Sequence, residues 1–164
     1  MSHSVTIRTH QTVTSSSTAI IINSGYLKTW SGILKLVQVA LGAVCVGIAA
    51  DHITNHSRYN FFTTEMFFLL ITTTFMIGTF LLLMSCLISL STSSIMAKTM
   101  HEVLYHSIAF GLYLSAALTY MIRLSDYKGY SEYGLLLGAA ICGLVNAALY
   151  LFSTIIAVRT YKGF

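Results

Sequence analysis

Tyr26-Leu27-Lys28-Thr29-Trp30-Ser31-Gly32-Ile33-Leu34-Lys35-Leu36-Val37-Gln38 runs without a break into the apolar segment 39–50. Two aromatic rings, two lysines on one side of a helix and an apolar run too long for most soluble cores describe the basic end of a membrane-spanning helix. Tyr26, Lys28 and Trp30 are expected to lie at the depth of the head groups. Lys35, just inside the apolar run, is expected to join them by extending its long stem back toward the interface.

The rest of the chain supports a membrane reading. Its 164 residues include nine basic and five acidic side chains, 55% hydrophobic positions and no proline, where a soluble chain carries about a quarter charged residues. A bilayer core about 30 Å thick takes roughly 20 apolar residues per helix. Stretches of that kind are predicted at about residues 31–50, 65–90, 100–122 and 134–158. Ser91 to Ser94 is expected to form a turn, and residues 51–64 and 123–133 to form polar loops. The expected fold is an all-α bundle of four transmembrane helices, organised as a disordered polar tail (1–25), the helical domain (26–158) and a short cytoplasmic tail (159–164).

Basic residues orient such a bundle. With both termini in the cytoplasm, that side holds Arg8, Lys28, Lys35, Lys98, Arg159 and Lys162 against Arg58, Arg123 and Lys128 outside. The same orientation places the sequon Asn55-His56-Ser57 outside, which makes Asn55 a candidate glycosylation site. The first eighteen residues have no apolar core, so they do not read as a cleaved signal peptide. The small, scattered net charge of +4 gives no footprint for nucleic acid.

Chemical motifs are sparse. His101-Glu102-Val103-Leu104-Tyr105-His106 resembles the zinc-protease H-E-x-x-H, but its histidines are five apart and diverge by about 140° on one helix. Glu102 and His106, four apart, share a face near Lys98 and are expected to pair inside the bundle. His52 and His56 read as solvated loop residues. Cys45, Cys86 and Cys142 lie in separate apolar segments without a C-x-x-C pair, which argues against thiol exchange. Cys86, near a helix end, is a candidate for acylation, with buried packing as the default. No catalytic constellation, metal site or cofactor is expected.

Small residues mark the packing surfaces. Gly134 and Gly138, followed by Ala139, Gly143 and Ala147, form a ridge on the fourth helix, and Ala43 and Gly47 form a lesser one on the first. Asn146 is expected to hydrogen-bond a neighbouring helix. Either ridge serves the bundle or a partner's helix, and isoleucine at Gly138 and Gly143 is expected to abolish partner association. The alternative class, a transporter or channel subunit, requires a wet pathway around Asn146, Glu102 and His106.

The stretch from Tyr26 to Gln38 resembles the opening of the small four-helix MARVEL proteins, the group that includes MAL, plasmolipin and the chemokine-like factors. Phe75-Met76-Ile77-Gly78-Thr79-Phe80, the opening of the third helix from Lys98 to His106, and the layout over about 26–160 add to the likeness. Ser31 stands where that family usually has proline, and Gln38 where it usually has an acidic residue. The resemblance implies a non-enzymatic protein of the plasma membrane and vesicles. Such proteins organise membrane apposition, trafficking or junctions, or escort other membrane proteins. Membrane lipids, other integral membrane proteins and a homo-oligomer are the partners it suggests.

Overall fold

A computed structural model of the chain describes residues 23–56, 62–96, 98–129 and 132–163. Five α-helices follow one another: α1 (Trp30–His56), α2 (Phe62–Ile88), the short α3 (Leu90–Met96), α4 (Met100–Leu124) and α5 (Tyr133–Lys162). Four are long and apolar enough to cross a bilayer. At 1.5 Å per residue they measure roughly 38 to 45 Å, more than a hydrocarbon core about 30 Å thick. There are no strands among the described residues, as expected where every backbone polar group must be satisfied within its own helix.

The long helices pack as a ring, α1 on α2, α2 on α4, α4 on α5 and α5 on α1. Thus α1 faces α4 across one diagonal, and α2 faces α5 across the other. Inward-facing residues recur at alternating steps of three and four. On α2 they are Glu65, Phe68, Thr72, Phe75, Thr79, Leu82 and Cys86; on α5, Leu136, Ala139, Gly143, Asn146, Tyr150, Ser153 and Ala157. That spacing is the heptad seam of a left-handed bundle. Large apolar side chains such as Leu70, Leu81, Ile108, Ile122 and Phe152 point outward.

Tyrosines fill the centre. Tyr113, Tyr120 and Tyr150 are fully buried, and Phe68 stacks on Tyr120 with ring centroids 4.7 Å apart. Tyr105 and Tyr150 each hydrogen-bond the Thr79 hydroxyl (2.9 and 2.7 Å) and donate to the Phe75 carbonyl (3.1 and 3.3 Å). The Phe75 to Phe80 motif is therefore the point where α2, α4 and α5 are joined. Aromatic side chains fill the middle of the bundle where α2, α4 and α5 meet.

Several boundaries differ from the expected ones. α1 continues past Ala50 to His56, because Thr54 bonds the Ala50 carbonyl, Asn55 donates to Asp51 at 2.8 Å, and His52 meets α2. Asn55 is accordingly an exposed residue of the last helical turn, not of a loop. Ser91 to Ser94 belong to α3, where the Ser89 hydroxyl accepts from the Thr92 amide and so satisfies one free N–H of the first turn. Residues 159–162 continue α5, which ends at Gly163 in the left-handed region (φ 77°). Of the expected polar tail, residues 1–22 lie outside the described residues. Ser24 and Gly25 open a 3-10 helix, Ser24–Lys28, held to α2 by the Asn23 amide donating to the Leu87 carbonyl at 2.7 Å.

Three glycines are sites of close approach, Gly78 among them, where a Cβ would stand 2.6 Å from the Tyr105 hydroxyl. A Cβ on Gly32 would stand 2.2 Å from the Tyr26 carbonyl oxygen, and one on Gly143 would stand 2.9 Å from the Phe68 ring. Gly32→Ala and Gly143→Val are each expected to destabilise the bundle by about 1–3 kcal/mol through overpacking. Gly138→Ala, with nothing near its Cβ, should leave stability unchanged or slightly raised. Thermal unfolding in detergent micelles checks all three.

Candidate functional site

Charges inside a bilayer are expensive and seldom stand alone, so the buried ionisable groups are the natural place to seek a site. Among the described residues they form two clusters, one at each end of the bundle, and both include a residue of α1.

The first cluster joins α1 to α4. Lys35 is almost fully buried, and its ammonium donates to Glu102 and to the Ser31 hydroxyl, the latter at 2.7 Å. It also lies 6.0 Å from the centre of the Tyr26 ring. Glu102, in the first turn of α4, gains further from the positive end of that helix. His106 follows one turn later, with Nε2 3.7 Å from the same carboxylate oxygen, too far for a hydrogen bond. Lys35 therefore does not extend to the head groups as expected; it turns inward because an anion waits across the diagonal. Glu102 pairs with Lys35, and Lys98 is exposed. Tyr26 is likewise no surface anchor: it is buried on Leu83 and Cys86, its hydroxyl 3.2 Å from Ser31. Burial pushes the Tyr26 phenol up, against the opposing pull of Lys35. Lys28 and Trp30 are exposed.

Next to this cluster the interior stays polar. Gln38, fully buried, donates to the Ser153 hydroxyl at 2.9 Å, and Asn146 donates to the Gln38 backbone carbonyl at 3.2 Å. Asn146 thus links α5 to α1 as anticipated. Gln38, standing where an acidic residue is usual, serves as a neutral bridge.

The second cluster joins α1 to α2 at the opposite end. Glu65 is fully buried and accepts from His52 Nδ1 at 2.7 Å and from the Tyr120 hydroxyl at 3.4 Å. His52 is thus a partner of a buried carboxylate, not a solvated loop residue. The seam carried the missed signal, since Glu65, Thr72 and Thr79 are spaced by sevens and Lys35 and Gln38 by three. His101 is exposed while His106 faces inward, so the near-protease motif splits between two faces. Among the described residues no group of three His, Cys, Asp or Glu side chains is placed to hold a metal ion.

The small residues also divide. Ala139, Gly143 and Ala147 face the interior, with Gly143 against Phe68 and Ala117. Gly134, Gly138 and Gly47 have open space at Cβ, and Ala43 is exposed. Isoleucine at Gly143 would therefore disrupt the bundle itself, so that half of the expected double substitution does not test a partner surface. Cys86 packs against Tyr26 and Leu83 and is 3% exposed, so its thiol is not offered for acylation.

Removing one member of a buried ion pair leaves the other charge stranded. Lys35→Met and Glu102→Leu are each expected to cost about 3–5 kcal/mol, and the double variant should recover most of that loss. Equilibrium unfolding in mixed micelles measures the cycle.

Comparison with known families places the chain. The model of the MARVEL family, a membrane-associating domain, matches residues 26–156. No curated protein and no solved structure matches the chain.

Proposed function

The chain belongs to the MARVEL family of membrane-associating domains, and from that footing we propose that it organises membranes without catalysis, by lateral packing against lipids and other integral membrane proteins. The observation that carries this reading is the division of the small residues. The interior ones are consumed by the bundle. Ala43, Gly47, Gly134 and Gly138 remain as flat places on an otherwise bulky apolar surface. Without a hydrophobic drive between helices in lipid, close approach at small residues is what favours association. A second copy of the chain or a partner's transmembrane helix fits such a face. Membrane apposition, vesicle trafficking, junction formation and escort of a partner are all roles built on lateral packing of this kind.

In this reading both termini lie in the cytoplasm, on the side richer in lysine and arginine, and the protein resides in the plasma membrane or in vesicles. The packed aromatic middle favours this reading over a transporter or channel subunit.

Crosslinking of the tagged full-length protein in native membranes tests the proposal. The double variant Gly47→Ile/Gly138→Ile is expected to insert and unfold like the wild type while its crosslinks to membrane proteins or to itself fall roughly tenfold, equivalent to about 1.4 kcal/mol. Undiminished crosslinking would remove this surface as the site of association.

A further inference from the structure

A partly enclosed cavity of about 40 Å³ lies between α1, α4 and α5 at the Lys35 end of the bundle. Ser31, Leu34, Glu102, His106, Ser153, Ile156, Ala157 and Thr160 line it. Thr160 is exposed and marks the open side, and His106, wholly buried, forms part of the wall. Neither ring nitrogen of His106 has a hydrogen-bond partner. Gln38 Oε1 and Asn146 Oδ1 are also unpaired, and Gln38 reaches the cavity wall through its bond to Ser153. Buried polar groups left in this condition are rare and call for an explanation, and a bound water or ion is one that such a cavity can supply.

The lining defines the guest. A neutral imidazole offers one donor and one acceptor, so a matching molecule must both accept and donate. An anion would meet Glu102, a cation would meet Lys35, and an apolar molecule would leave the imidazole unpaired. Water satisfies every condition. One water needs roughly 10–15 Å³ of such space, so the cavity takes about three.

We propose that this cavity is a water site that delivers a proton to His106, and that protonated His106 competes with Lys35 for Glu102, loosening the link between α1 and α4. The geometry for competition is already present, because Nε2 lies 3.7 Å from the one carboxylate oxygen that also accepts from Lys35. A proton from the aqueous phase adds to a ring nitrogen lone pair, after which both nitrogens donate. A second positive charge then stands beside Lys35 and repels it. The titratable and charged groups around His106 are Lys35 on α1, Glu102, His101 and Tyr105 on α4, and Tyr150 on α5. The α2 residue at this level is the neutral Thr79.

The test uses the full chain in lipid nanodiscs with labelled histidine. Tyr105-His106 is the one Tyr-His pair in the sequence, so pairwise carbonyl and amide labelling assigns His106 in the wild type without relying on a variant. The expected result is that its ring nitrogens show exchange with water and take up a proton as the pH is lowered. Emission of Trp30, the single tryptophan, at the start of α1, should shift along with that uptake. That shift should be lost in His106→Gln and retained in His101→Gln. Ring nitrogens that neither exchange with water nor titrate would overturn the water site. Titration of His106 with an unmoved Trp30 signal, or a Trp30 shift that survives in His106→Gln, would overturn the competition for Glu102.

Discussion

The ion pair between Lys35 and Glu102 is the constraint on which the arrangement of the helices depends. Taking each charge out of water carries a penalty of several kcal/mol, recovered only when the partner is in contact and the remaining donors are occupied. Here the partner is on the diagonal helix and Ser31 takes a second ammonium proton. The contact requires α1 and α4 to face each other with α2 and α5 between them. It also fixes rotation: one residue of slip turns a helix by about 100° and would carry either charge into lipid. Lys35, Gln38, Cys45 and Ala49 then fall on the inner side of α1 together, and the rest of the seam follows.

Hydropathy alone makes the four spans and their approximate limits legible, because length and apolar content dominate the signal, and the motif from Tyr26 to Gln38 carries the family resemblance. What it obscures is the inner face. In this bundle Lys35, Gln38, Glu65, Glu102, His106 and Asn146 are buried while leucine and isoleucine cover the outside. Expectations drawn from the usual behaviour of exposed lysine and histidine therefore failed at Lys35 and His52. Both have a carboxylate partner far away in sequence, 67 residues on for Lys35 and 13 for His52. The three-and-four spacing of polar residues within apolar runs holds the information that hydropathy lacks. Helix ends were harder to place for a related reason. Asp51, Asn55 and the hydroxyls around Ser89 read as loop formers, yet each makes the side-chain bond that extends or restarts a helix.

The small residues show how position decides role. Gly138 and Gly143 look alike in sequence, five apart on one helix. Phe68 and Ala117 close against Gly143 and nothing approaches Gly138, making one part of the core and leaving the other open. Where the opening stretch departs from the family's usual residues, the protein compensates locally. Ser31 supplies an acceptor to Lys35, and Gln38 supplies a neutral bridge from α1 to Ser153.

The long helices contain no proline, the commonest cause of a sharp kink, so each lacks the usual hinge. α1 is tied near one end to α4 by Lys35 and near the other to α2 by His52, positions about 26 Å apart along its axis. Neutral links to α5 hold α1 between these two charged fastenings, so when one charged fastening gives, the helix can pivot about what remains. Slackening at either end would therefore appear as a change of tilt felt across the whole bilayer, with α1 acting as a lever between the two membrane surfaces.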